Sequence, residues 1–564
     1  MSAAGLRTSG VKGSDVYAST GDARVDLNVK LVRGAAEAVV RAGLDEVVTA
    51  RGHLEDAILM MFHARNVRGG KGERDVAAVM LDHLWHLDKA AVRRVLPLWP
   101  RYGSWRDVFA LMAAPDADAT SSLRDALLDL AAAQLDEDQT VAAADPGKSI
   151  SLCAKWAPRE HGSRDDKILA GRLAGRLFPD VAAHPSRMKA YRKLVAGLNK
   201  RLSTVETLMC AGRWSAIRPV AVPGRAGKLY GRAFLNLEGK HGETLRHPED
   251  LDRMACREHF KEHFAAAAAG KAKINGAATV FHHEIVKKAV SNRGSLTEDE
   301  RAQLSGIWRA MVDATAAGGG LGRTVMMSDF SGSMQSAGAA GDTPFWVSMA
   351  LGILGSQVAT GVFRGRLMTF DSTPTWHTFP AWSADGSGPA DLFACLETLR
   401  RSRAGQGTST NFEAAMRLVL NTLRSGRVPP GEEPENLLVL TDMGWDAATG
   451  ERSWETHVER LRAEFAAGGW RMPTIVIWNL AAQYSGDYHA TADVPGVAML
   501  SGWSAAQFRV LQKEVRQLTA LEVLRMELDD PMYDPVREAL RQPAAALVEA
   551  NHSNGWGIEA DGVV

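Results

Sequence analysis

Val325-Met326-Met327-Ser328-Asp329-Phe330-Ser331-Gly332-Ser333 passes from a short apolar run to side-chain oxygens on alternate positions. The run reads as a strand, and an alternating carboxylate and two hydroxyls at its carboxyl end could aim at one point. Three more runs of the same texture follow: Leu367–Phe370, Leu437–Leu440 and Thr474–Trp478. Each is apolar on consecutive positions, the pattern of strands buried on both faces of a parallel sheet. Between them lie amphipathic helices, such as the one carrying Phe412, Ala415, Met416, Val419, Leu420 and Leu423. Strand–helix alternation of this kind predicts a doubly wound α/β domain over residues 322–545.

Upstream of Gly318-Gly319-Gly320 the texture is helical. Val76, Val79, Met80, Leu84 and Leu87 keep helical spacing, as do Leu304, Ile307, Trp308, Met311 and Val312. Breaks at Arg68-Gly69-Gly70 and at Pro97, Pro115, Pro146, Pro179, Pro219, Pro223 and Pro248 leave helices of ordinary length. The expected organisation is a flexible N-terminus (1–23), an all-α helical-repeat domain resembling a HEAT-type solenoid or ring (24–317), the α/β domain, and a C-terminal tail (546–564).

Net charge is zero but unevenly spread. Residues 1–321 hold 47 basic and 38 acidic side chains, residues 322–564 hold 19 and 28, and residues 151–240 alone hold 18 and 6. A basic excess of this kind points to an anionic partner, and a solvated face is the plain alternative. Cys153, Cys210, Cys256 and Cys395 are widely spaced and read as reduced core thiols. The opening MSAAGLRTSG lacks the apolar centre of a signal peptide, and no apolar run is long enough to span a bilayer. The expectation is a soluble, cytoplasmic protein.

The candidate chemistry sits at strand ends, where open α/β sheets place their ligands. Asp329, Ser331 and Ser333 follow the first strand; Gly407-Thr408-Ser409-Thr410-Asn411 precedes the Phe412 helix; and Leu437-Leu438-Val439-Leu440-Thr441-Asp442 ends a buried strand in a carboxylate. A hard cation wants such oxygens in near-octahedral array. Thr410 alone reads equally well as a helix cap. The set Asp329, Ser331, Ser333, Thr410 and Asp442 resembles the metal-ion-dependent adhesion site of von Willebrand factor A domains. That resemblance implies one divalent cation, Mg²⁺ before Mn²⁺ or Ca²⁺. It further implies direct ligation by Ser331 and Ser333, direct or water-mediated contact by Asp329 and Asp442, and an open position for a partner's carboxylate. Asp442-Met443-Gly444 departs from the family pattern, which has Gly directly after the last Asp.

In the helical part, Arg68-Gly69-Gly70-Lys71-Gly72-Glu73-Arg74, Tyr102-Gly103-Ser104-Trp105-Arg106-Asp107 and Lys155-Trp156-Ala157-Pro158-Arg159-Glu160 resemble segments of Ro-like proteins of the TROVE (Telomerase, Ro and Vault) group, in an uncharacterised branch. The resemblance implies binding of small noncoding or misfolded RNA on a basic helical ring. Candidate phosphate contacts are Arg65, Arg68, Lys71 and Arg74 around the glycines, Lys155 and Arg159, then Arg187, Lys189, Arg192, Lys193, Lys200 and Arg201 with Tyr191 among them. Arg213, Arg218, Arg225, Lys228 and Arg232 follow, interleaved with Trp214 and Tyr230. Each Trp reads more readily as core.

Gly69-Gly70-Lys71-Gly72 is no P-loop, His282-His283-Glu284 lacks zinc-protease spacing and reads as helix surface, and Ser331 lacks a nucleophile elbow. No catalytic residues are expected. The alternative to an RNA-binding protein is a metal-dependent protein–protein adaptor whose helices are only scaffold.

Overall fold

The structure, a computed structural model, describes residues 7–10, 15–113, 122–335, 341–370, 373–379, 391–402, 412–445, 454–513 and 517–542. An N-terminal helical region leads into a C-terminal α/β unit. Strands β1 (Arg7–Ser9) and β2 (Asp15–Tyr17) form a small antiparallel hairpin. The remaining six make one sheet: β3 (Thr324–Asp329), β4 (Arg366–Phe370), β5 (Trp376–Thr378), β6 (Asn436–Thr441), β7 (Thr474–Asn479) and β8 (Val497–Ser501). Their order is β5-β4-β3-β6-β7-β8, parallel throughout except for β5 on β4.

All of β3, β6, β7 and β8 is buried, as consecutive apolar positions require. Alternate residues feed two separate cores. Val325, Met327, Leu437, Val439, Ile475 and Ile477 face one, while Met326, Leu438, Leu440, Val476 and Trp478 face the other. The helix Pro344–Val358 covers the second face and sits close because Gly352 carries no side chain; a Cβ there would lie 2.3 Å from Ser328 Oγ. The helices Phe412–Ser425 and Trp454–Ala467 cover the first face through Met416, Val419, Leu461 and Phe465.

The glycine-rich joint does not divide the molecule into independently packed halves. The first-face core continues into Val25–Leu198 of the helical region, and the second-face core takes in Ile285, Leu304, Ile307 and Trp308. Within the expected flexible arm, Tyr17 and Thr20 are held by backbone hydrogen bonds to the α/β unit. Tyr17 exchanges backbone hydrogen bonds with Tyr488 at 2.7 and 3.1 Å, and Ala492 N donates to Thr20 O at 2.8 Å. The buried Tyr17 ties β2 to Tyr488, a contact too short for periodicity to reveal. Cys210 is exposed, unlike the buried Cys153, Cys256 and Cys395, which corrects the reading of four core thiols. Nor are His282 and His283 helix surface. They are 7% and 1% exposed, and burial pushes His282 down to about 3, so it is neutral in the folded protein. Residues 546–564 lie outside the described residues. Among the described residues no helix is long and apolar enough to cross a membrane.

Candidate cation site at the sheet edge

Chain connectivity reverses direction between β3 and β6. From β3 the chain passes to a helix on the second face and then to β4; from β6 it passes to a helix on the first face and then to β7. The connections therefore leave toward opposite faces at this point, the carboxyl-end switch where doubly wound sheets place their ligands. Ser328 and Leu440 are paired in register, so Asp329 and Thr441 emerge side by side, followed by Ser331 and Asp442.

Asp329 is fully buried. Its Oδ1 accepts from Ser331 N at 2.8 Å and its Oδ2 from Thr441 Oγ1 at 3.0 Å. Ser331 Oγ and Ser333 Oγ lie 3.1 Å apart. Asp442, also fully buried, receives Gly444 N on Oδ1 at 3.0 Å. Burial and then the like charge of Asp442 push the Asp329 carboxyl upward, while the bonds from Ser331 and Thr441 pull it partly back. Two carboxylates and two hydroxyls at one buried edge suit a hard divalent ion, which would relieve the repulsion between the acids. Thr410 lies outside the described residues. Among the described residues there is no group of three or more His, Cys, Asp or Glu that could hold a metal.

Behind these oxygens stands a layer that the sequence did not reveal. Trp445 Nε1 donates to Thr441 Oγ1 at 3.1 Å, and the indole is stacked between Phe412 at 5.5 Å and His489 at 3.9 Å. Burial pushes His489 down to about 4, so the ring is neutral and its Nε2–H donates to Met443 O at 3.0 Å. Met443 has φ 72°, the left-handed conformation that favours glycine. The displaced glycine noted in the sequence thus leaves a side chain at the strained position, held by burial of Met443 to 1% exposure. Only the Asp-Met-Gly departure hinted at this; nothing in local spacing points to His489.

The helical region braces the same edge. Lys287 Nζ bonds Asp342 Oδ1 at 2.6 Å and Gly341 O at 2.7 Å, fixing the approach to the helix Pro344–Val358. His283 and Lys287 hold the Asp342 carboxyl far below its usual range. Further along, Asn479 Nδ2 donates to Val29 O at 2.9 Å, and Ser501 Oγ donates to Asn28 O at 2.6 Å.

Two of the basic residues singled out in the sequence are interior, which corrects their reading as phosphate contacts. Lys71 is fully buried, its ammonium donating to Asn28 O and Ser501 Oγ, both at 2.6 Å. Arg65, 4% exposed, bonds Asp107 Oδ2 through Nε at 2.9 Å. A glycine-flanked lysine looks accessible in sequence, but here it runs inward against Gly502, where a Cβ would lie 3.0 Å from Lys71 Cβ. Tyr191 is likewise buried, donating to Pro158 O at 2.9 Å, so it offers no stacking face. Arg68 is exposed, with Nη1 on Arg101 O, and Arg74 is half-buried beside Asp107 Oδ1 at 3.0 Å.

The helix His184–Leu202 buries Met188, Tyr191, Leu194, Val195 and Leu198 and turns Lys189, Arg192, Lys193 and Lys200 outward. Arg192 pairs with Glu160, and Lys155 with Glu206 at 3.1 Å. Arg159 donates to Ala154 O, Arg187 to Ala182 O, and Arg201 to Asp145 O and Lys148 O, while Arg213 is exposed.

Comparison with known proteins divides the chain at the same joint. Residues 323–547 match a family described as a domain of unknown function, DUF7788, and residues 111–321 match another, DUF2828. The chain is also similar, at 24% identity over 542 residues, to "Uncharacterized protein L728" of Acanthamoeba polyphaga mimivirus, covering 93% of this chain and 87% of the relative.

Proposed function

We propose that this protein binds RNA through its helical region and carries a cation-dependent adhesion site in its α/β unit. On this reading it is a Ro-like protein of the TROVE group, its helices form HEAT-like repeats, and its α/β unit is a von Willebrand factor A domain. Asp329, Ser331, Ser333, Thr410 and Asp442 would hold one divalent ion, Mg²⁺ first, which supplies a coordination position for a carboxylate of a protein partner. The observation that carries RNA binding is the outward face of the helix His184–Leu202. There Lys189, Lys193 and Lys200 recur at helical spacing over an apolar inner face. Such a row neutralises successive phosphates and releases counterions.

The test is affinity for a noncoding RNA hairpin across a salt series. Reversing Lys189, Lys193 and Lys200 to Glu should lower affinity and reduce the slope of log affinity against log salt by roughly 2 to 3. Unchanged affinity and slope would overturn the reading. A metal-dependent protein adaptor is the second reading, favoured by the oxygen cluster at the switch of the sheet, which needs no RNA. Retention of a protein partner that is lost on chelation, with no RNA bound, would select it.

A further inference from the structure

The helix Leu251–Ala268 carries two imidazoles one turn apart, at His259 and His263. Asp250 caps its start, the carboxylate accepting from Asp252 N at 3.0 Å and Arg253 N at 3.1 Å. Cys256, Phe260, Phe264 and Ala267 recur at helical spacing and are buried. Phe260 stacks on Phe234 with ring centroids 4.3 Å apart and meets Phe264 at 5.5 Å. This packing fixes the rotation of the helix, so the residue before each of the two phenylalanines emerges along the rim of the packed face. His259 is exposed and His263 is half-buried.

Side chains four residues apart on a helix are neighbours, with Cβ atoms roughly 5 to 6 Å apart. Two imidazole nitrogens at that spacing can converge on one ion, each at about 2.0 to 2.1 Å. Among the described residues neither ring takes part in a hydrogen bond or an ion pair. Other histidines are committed: His83 bonds Asp45 at 2.7 Å, and His86 Nδ1 bonds Asp82 O at 2.8 Å. His263 also borders a small cavity with Phe260, Ile274 and Gln303, so part of its ring is free of packed atoms. Burial pushes it down from its ordinary value, which favours the neutral form that ligates metals. Glu262 is exposed beside the pair and adds negative charge, while Lys261 faces Glu258 at 3.7 Å. His259-Phe260-Lys261-Glu262-His263 has the H-x-x-E-H order with which one kind of zinc enzyme presents two imidazoles. No third His, Cys, Asp or Glu completes a ligand set among the described residues, which leaves the remaining coordination positions to water.

We propose that His259 and His263 together bind one transition-metal ion of the kind that imidazole suits, Cu²⁺, Ni²⁺ or Zn²⁺, on the surface of the helical region. Mg²⁺ and Ca²⁺ demand oxygen ligands and do not compete for it. The site is independent of the oxygen cluster at the ends of β3 and β6 and of RNA binding, so its failure would leave both of those readings in place.

The experiment is calorimetric titration of Cu²⁺, Ni²⁺ and Zn²⁺, each alone, into the untagged full chain, stripped of metal and then held in saturating Mg²⁺. Wild type is compared with His259→Gln, His263→Gln, the double variant and His241→Gln, an exposed histidine outside any helix or strand, each checked for an unchanged melting transition. Wild type should bind one equivalent, Cu²⁺ more tightly than Ni²⁺ or Zn²⁺. Either single substitution in the pair should weaken binding about tenfold or more, because each imidazole acts at the high effective concentration set by the other. The double variant should bind nothing, and His241→Gln should match wild type. Should His263→Gln fail to fold, His259→Gln, on the open surface, carries the comparison. Absence of stoichiometric binding by all three ions, binding untouched in the double variant, or two weak sites each lost with one histidine overturns the proposal.

Discussion

Replacing Lys71 by Met probes the seam between the helical region and the sheet. The ammonium is fully buried, with Asn28 O and Ser501 Oγ each 2.6 Å away and the carboxylates of Glu527 and Glu73 as neighbours. Burial outweighs those carboxylates and pushes the amine from 10.5 down to about 8. In the unfolded chain Lys71 keeps its proton up to about 10.5, whereas in the folded protein it releases it near 8. Between those values the unfolded state binds more protons, so raising the pH favours folding. At 1.36 kcal/mol per pH unit the gain across the interval is on the order of 3 kcal/mol. Complete burial leaves little solvent to screen it. Urea unfolding of wild type and Lys71→Met at a series of pH values from 7 to 10.5 isolates this residue, because every other titrating group is common to both. The stability of wild type relative to the variant should climb by about that amount as pH rises from 8 to 10.5. A difference that stays flat with pH would mean that Lys71 titrates as in water, and that the helical region does not close over β8.

Asp107→Asn keeps the shape but removes the charge that compensates buried Arg65, and should cost about 3 to 5 kcal/mol in denaturant unfolding. A cost below about 1 kcal/mol would show Arg65 to be solvated. Gly502→Ala places a Cβ 3.0 Å from Lys71 Cβ at φ 104°, and should lower stability by at least roughly 1 to 2 kcal/mol. An unchanged melting transition would refute the close passage of Lys71 beneath that residue.

The α/β part was legible in sequence because consecutive apolar residues have few other uses. Val325–Met327, Leu367–Phe370, Leu437–Leu440 and Thr474–Trp478 all lie within strands. Val497–Ser501 was missed although it is equally apolar, because it follows a loop without a helical pattern to set it off. Trp376–Thr378 is an antiparallel edge of three residues, too short for any period to show. At the candidate cation site, Asp329, Ser331, Ser333 and Asp442 could be read because they follow strands directly. Trp445 and His489 act on them through packing across 44 residues of chain, which no local pattern encodes. For the basic residues, sequence gave type but not exposure. The same Arg-Gly-Gly-Lys-Gly-Glu-Arg segment supplies an interior lysine and, three residues on, a half-buried arginine beside Asp107. Which of the two reaches solvent depends on where Ser501 and Asp107 lie in space.

Calorimetric titration of Mg²⁺ into chelator-stripped full-length protein tests the cation site most directly. Binding at one site per chain, lost in Ser331→Ala and in Asp442→Ala while both variants retain the wild-type melting transition in chelator, is the result that follows from carboxylates and hydroxyls meeting at the ends of β3 and β6. Absence of binding for Mg²⁺ and Mn²⁺ alike, or binding that survives both substitutions, would contradict it.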